Sequence, residues 1–278
     1  MNKEDYIKLV DQRFESKESK EIMLKQIDRY YKAKDNYVLP KHIYKVGDQV
    51  KLSKGTLMHG TYKNIDGLKY IAKNGLISSN FIEGRGTKYP ACVGVWNLKQ
   101  DYLLKDYINI YSGGTIEMKS DMFGPRETKV IPFDEMKNLI YEIKDNKNCF
   151  RWYIEQTKEA RFLPSLVQDN VQIGIIFNGN NNYIKNLLKG DILYNFSDKE
   201  VKEFVNPDYY DRFIIDRKNK DDFFTDRESA ILFGIPSNMI EGILVGRIYE
   251  KDDTKLKEIK QLLPNSYICN LDGKVIVE

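Results

Sequence analysis

Residues 64–76 carry the clearest periodicity in the chain, because Ile65, Leu68, Ile71 and Ala72 recur at i, i+3, i+6 and i+7. That spacing draws one apolar stripe and predicts a helix. Asn64 supplies an N-cap oxygen for a first-turn N–H, and Gly75 ends the helix through a left-handed residue, with Leu76 falling back onto Ile71. Just before it, Leu57, Met58, His59, Gly60 and Thr61 form a short apolar run that hands over to a glycine turn. The unit is a strand, a His-Gly-Thr turn and one helix. A polar side chain at such a strand end faces a cleft more readily than a core.

Two helices are predicted over residues 4–34, the first striped by Ile7, Val10 and Phe14, the second by Met23, Ile27, Tyr30 and Tyr31, with a break near Ser16. Pro40 ends this arm, and residues 44–52 are an extended approach to the His59 strand. A second strand over 91–96 and a helix over 98–108 repeat the first unit, with Trp96 where strand becomes helix. Residues 111–115 read as a tight turn and 118–130 as an irregular loop. Asp134 caps a helix striped by Met136, Leu139, Ile140 and Ile143, and a further helix is predicted over 150–158.

Residues 160–164 turn extended, and 171–177 form the strongest strand signal in the chain. A short helix over 183–189 stops at Gly190; Ser197 and Glu200 form a capping box that starts another; residues 212–216 read as a short strand. Strands over 228–234 and 243–248 flank a turn at Pro236. Leu256, Ile259 and Leu263 stripe a helix stopped by Pro264, and a hairpin joins 267–269 to 275–277 through Asp272-Gly273. The expected fold class is α+β, organised as an N-terminal helical arm over 1–40 and one domain over 41–278.

Composition narrows the function classes. At 278 residues and 41% apolar content the chain can bury a real core. With 44 Lys+Arg against 41 Asp+Glu, the net charge of +3 neither argues for nor against a nucleic-acid partner. Cys92, Cys149 and Cys269 stand far apart, so no zinc site or disulfide framework is implied. The charged start lacks a signal-peptide core and no apolar run reaches transmembrane length, which predicts a soluble, cytoplasmic protein with no membrane partner. The basic glycine-rich segment 83–88 lacks the spacing of a P-loop or a dinucleotide fingerprint.

Three elements in order, a strand-end histidine followed by Gly-Thr, a strand ending Gly94-Val95-Trp96 and a late strand opening with Glu228, resemble the ADP-ribosyltransferase superfamily. The resemblance is to its diphtheria-toxin and poly(ADP-ribose) polymerase branch, with some similarity to bacterial DNA-modifying toxins around His59 and Arg227-Glu228. It touches residues 55–250 and implies a split β-sheet core with flanking helices. It also implies NAD as substrate, no metal, and transfer of ADP-ribose to a macromolecular acceptor, protein or nucleic acid. His59 then matches the histidine that hydrogen-bonds the adenosine-side ribose, Gly60 the backbone beside nicotinamide, with Thr61 completing the motif. Trp96 falls where the family has a stacking tyrosine, and Glu228 matches the catalytic glutamate, with Glu241 and Glu159 as alternatives. Two other functions stay open: a non-catalytic NAD- or nucleic-acid-binding module of the same fold, and an RNA 2′-phosphotransferase-like enzyme. His42 is read as a surface residue.

Overall fold

The helix predicted from the periodic stripe is present as Asn64–Asn74, with Ile65, Leu68 and Ile71 buried and Ala72 half-buried. Gly75 ends it at φ +84°, its N–H bonded to the Ile71 carbonyl at 2.7 Å. The computed structural model describes residues 1–61, 64–84, 90–111, 114–119, 126–131, 160–163, 173–211, 214 and 227–278.

In chain order the elements used below are α1 (Lys3–Arg13), α2 (Lys17–Asn36), β1 (Lys51–Leu52), β2 (Leu57–Thr61), α3 (Asn64–Asn74), β3 (Leu76–Ile77), α4 (Ser79–Glu83), β4 (Cys92–Asn97), β5 (Tyr102–Leu103), α5 (Leu104–Tyr111), β6 (Gly114–Lys119), β7 (Arg126–Ile131) and β8 (Ala160–Leu163). They continue with β9 (Ile173–Phe177), α6 (Asn182–Leu187), β10 (Arg227–Leu232), β11 (Gly234–Ile235), β12 (Ile240–Val245), α7 (Arg247–Glu250), α8 (Asp253–Leu262), β13 (Tyr267–Cys269) and β14 (Val275–Val277).

The centre is a seven-stranded sheet in the order β10-β4-β2-β9-β12-β13-β14, mixed because β12 and β13 run parallel. The architecture is α+β. All five residues of β9 are buried, as its unbroken apolar run requires of a strand covered on both faces. Leu57, Val95, Ile175 and Ile243 point into the larger core; Met58, Ile176, Leu244 and Cys269 point into a smaller one closed by Leu104, Tyr107 and Ile108 of α5. Period-2 alternation sorts the two sets.

The helices of the expected arm pack on the larger core. Asn2 and Asp5 form a capping box at α1, and Ser16 caps α2 through the Ser19 N–H at 3.1 Å. Tyr6 and Tyr30 both meet the Phe233 ring edge-on at 4.9 Å. Phe233 stands at φ +66° between β10 and β11, where the chain turns sharply enough to leave one sheet and enter a pairing with β3. Tyr6, rather than the expected Ile7, shares the buried face with Val10.

Several expected elements differ. The helix expected from Leu98 starts only at Leu104, because Tyr102–Leu103 is taken into a two-stranded pairing with β1. The segment expected as an irregular loop contains β6 and β7, paired in register from Gly114–Ile131 to Lys119–Arg126 and extended by β8. The unbroken polar run Arg126-Glu127-Thr128-Lys129 lacks apolar alternation and hid a strand that is set by its partners. The capping box at Ser197 forms, with Ser197 N–H on Glu200 at 2.7 Å, but opens one 3₁₀ turn over Glu200–Glu203. Ile214, expected in a strand, is helical, and Arg247 opens α7 instead of continuing β12. The helices expected after Asp134 and over 150–158 lie outside the described residues. Among the described residues no helix is long and apolar enough to cross a membrane.

Gly75 ties the α3 unit to the helical layer. A Cβ there would meet the Tyr30 hydroxyl and stand 2.8 Å from the Ile235 carbonyl, on a backbone that L side chains avoid. Gly75→Ala is expected to destabilise the protein by about 2 kcal/mol or more, read as a lowered urea midpoint at unchanged slope. Gly47→Ala, also at positive φ but with open space around it, is the milder control.

Candidate active site

The three signature positions sit on three neighbouring strands. Glu228 of β10 pairs with Trp96 of β4, and Trp96 pairs with Met58 of β2, the residue before His59. The β2–β4 ladder holds only Leu57–Asn97 and Met58–Trp96. Beyond that point β2 stays with β9 through Thr61–Ile173, while β4 stays with β10 through Cys92–Leu232. The sheet therefore divides between β2 and β4 at His59. The next ladder pairs are missing, and the imidazole fills the gap: His59 Nδ1–H donates to the Gly94 carbonyl at 2.8 Å.

Because a carbonyl only accepts, this bond places the imidazole proton on Nδ1 and leaves Nε2 as an acceptor. Burial pushes the His59 pKa below its ordinary value, against the opposing effect of the Gly94 bond. The ring is neutral at pH 7. Gly60 is half-buried, and Thr61 is enclosed in the β2–β9 ladder, the most buried of the expected binding residues.

Alternation puts Trp96 and Glu228 on the face of Met58, and the Cβ of His59 on the face of Leu57. His59 and Glu228 nevertheless meet at one residue. The imidazole reaches back into the opening to hold the Gly94 carbonyl, and a Cβ on Gly94 would stand 3.0 Å from Glu228 Oε1. Trp96 is half-buried, leaning on the smaller core, and Glu228 is exposed on the edge strand.

A feature that the motif search missed joins these residues. Gly60 pairs directly with Gly174 of β9, and continuing the β2–β4 register would set Gly94 opposite Gly60. Gly60 and Gly174 are therefore cross-strand neighbours, and Gly94 stands on β4 across the division; all three fall on the face of Trp96 and Glu228 and add no side chains to it. The signal was present in sequence, since an isolated glycine inside a strand pattern marks close backbone approach.

The chain matches no protein-family model, no curated protein and no solved structure. Its chemistry is therefore argued from its own residues. Of the alternative glutamates, Glu159 lies outside the described residues. Glu241 lies on β12, on the other side of β2 from Glu228, and its carboxylate is held by Asn178 Nδ2 at 3.3 Å in a separate cavity. That cavity also contains His42, which is half-buried rather than at the surface. Among the described residues no group of three His, Cys, Asp or Glu side chains stands close enough to hold a metal ion.

The neutral buried state of His59 makes a pH prediction. Its pKa is lowered on folding, so the unfolded chain binds more protons below the ordinary imidazole value, and stability falls as pH drops through about 6.5 and below. His59→Gln, whose amide can still donate to Gly94, is expected to lose less stability than the parent over that window. Thermal melts of both proteins between pH 7.5 and 5, each of these values being about one unit either side of the imidazole range, measure the difference.

Proposed function

We propose that this protein cleaves NAD at the nicotinamide–ribose bond and transfers ADP-ribose to a macromolecular acceptor, protein or nucleic acid. The observation that carries the reading is the convergence of His59 and Glu228 on Gly94, at the point where the sheet divides between β2 and β4. A divided sheet with its signature residues on adjacent strands is what the resemblance to ADP-ribosyltransferases implies. Gly60, Gly94 and Gly174 support it further, since a flat ring needs a surface without side chains beside an aromatic neighbour such as Trp96.

The roles follow from chemistry. Breaking the C–N bond sends its electron pair to nicotinamide and leaves positive charge on the ribose carbon, an oxocarbenium-like transition state that a carboxylate stabilises. Glu228 presents its carboxylate beside Gly94, where β2 and β4 part. It also accepts the proton released when the acceptor's nucleophile attacks that carbon, so charge and protons balance. His59 acts through Nε2, a lone pair suited to a ribose hydroxyl donor. Trp96 contributes ring contact but no hydroxyl, where the family has a tyrosine.

Incubation with nicotinamide-labelled NAD tests the reading. Glu228→Gln keeps size but loses charge, and is expected to lower nicotinamide release by about 10²–10³-fold with NAD binding retained. His59→Ala is expected to raise KM more than it lowers kcat, because its partner is remote from the breaking bond. Trp96→Ala should weaken NAD binding by about 1 kcal/mol. NAD binding without any nicotinamide release by the parent protein would instead favour a non-catalytic binding module, and a parental release rate in folded Glu228→Gln would remove Glu228 from the mechanism.

A further inference from the structure

A second cavity, of about 360 Å³, opens at the end of the sheet where β2 begins, between the segment Pro40–Tyr44 and the loop after β9. Its volume is in the range of small-ligand sites. Glu241 reaches it from a β-bulge, the extra residue where the β12–β9 register shifts between Ile240 and Gly242. Bulges re-aim a side chain out of the alternation of its strand. Gly242 makes the room, since a Cβ there would strike the Tyr267 ring.

The groups around Glu241 are held in place. Asn178 bonds the Met239 carbonyl through its N–H at 3.0 Å and accepts from Asn181 Nδ2 at 2.7 Å, leaving its amide to grip one carboxylate oxygen. The Tyr44 hydroxyl both donates to the Lys51 carbonyl at 3.0 Å and accepts from the Lys51 N–H at 3.1 Å. His42 stacks on that fixed ring at 6.4 Å and 26°. Glu241 Oε1 has no hydrogen bond among the described residues. Burial pushes the Glu241 pKa up, as expected for a carboxylate with one amide and no cation beside it.

We propose that this cavity binds a guanine nucleotide, with the Watson–Crick edge of the base on Glu241, its ring against His42 and Tyr44, and its phosphate toward Lys41 and Lys51. A carboxylate accepts from two adjacent N–H groups, which guanine offers at N1 and N2. Adenine and cytosine offer one amino group beside an acceptor, and uracil one N–H between two carbonyls. The flat wall of His42 and Tyr44 suits a stacked ring. A guanidinium would satisfy the same carboxylate, but the exposed lysines Lys41 and Lys51 on the rim repel a cation and attract a phosphate. The site stands apart from His59 and does not rest on the NAD reading.

Isothermal titration of the full chain with GMP, AMP, agmatine and two single-stranded hexanucleotides, one with a single guanine and one with adenine in its place, tests it. GMP or the guanine hexanucleotide is expected to bind roughly ten- to hundredfold more tightly than its adenine counterpart, and the tighter of the two identifies a free nucleotide or a strand as the source. Glu241→Gln should abolish that preference, and the double variant Lys41→Ala, Lys51→Ala, on exposed positions that spare the fold, should weaken both guanine ligands and make binding less salt-dependent. Equal binding of the adenine ligands, tighter binding of agmatine, or no binding of either guanine ligand overturns the proposal.

Discussion

The hydrogen bond from His59 to the Gly94 carbonyl is the interaction on which the arrangement of the site depends. A β-ladder that stops in mid-sheet leaves backbone groups unpaired, and a partly buried carbonyl without a partner is costly. Here β2 follows β9 and β4 follows β10, so the two strands part after Met58 and Trp96. The imidazole satisfies the carbonyl that the missing ladder abandons. The same bond fixes the tautomer, leaving Nε2 as the acceptor nitrogen.

The opening would be of little use if side chains filled it. Gly60 pairs with Gly174, and Gly94 stands on β4 across the division, although the three come from runs separated by more than thirty residues in sequence. Each weakens its strand, since glycine packs nothing and loses more backbone freedom on folding than any other residue. The sheet tolerates this because its burial is concentrated elsewhere: β9, β12 and β13 are flanked on both faces by the two cores. The α3 helix that follows β2 then anchors the far end through Gly75, whose close fit against Tyr30 and Ile235 leaves no space for a side chain.

What the sequence revealed was local. The stripe of Ile65, Leu68 and Ile71, the left-handed Gly75, the helix break near Ser16, the capping box at Ser197 and the turn at Asp272-Gly273 are each set within a few residues, and each stands where expected. Strands whose partner is distant were less legible. Tyr102 and Leu103 lie inside the helix expected from Leu98, Leu104, Tyr107 and Ile108, and the pairing with β1, far earlier in the chain, makes them extended. At the candidate site, the order of His59, Trp96 and Glu228 and the isolated glycines are visible along the chain, but where the β2–β4 ladder stops is set by strands far apart in sequence. The Glu241 bulge is of the same kind, because a register shift exists only between two strands.

Glu228 and Glu241 lie on opposite sides of β2, and their surroundings separate them. Glu241 is enclosed at a bulge, with an amide on one oxygen and a cavity in front of it. Glu228 lies on the outermost strand of the sheet. The outer edge of β10 is covered further along, where Asp191 bridges Ile231 and accepts from the Ala230 N–H at 3.1 Å, and Ile192 N–H bonds the Ala230 carbonyl at 3.0 Å. No described strand covers the edge at Arg227 and Glu228. A carboxylate that must serve both a bound small molecule and a large second reactant needs an enclosed side and an open one. Glu228 has the divided sheet and Gly94 on its inner side and the sheet margin on its outer side, whereas a macromolecule could reach Glu241 only by extending a single group into the cavity.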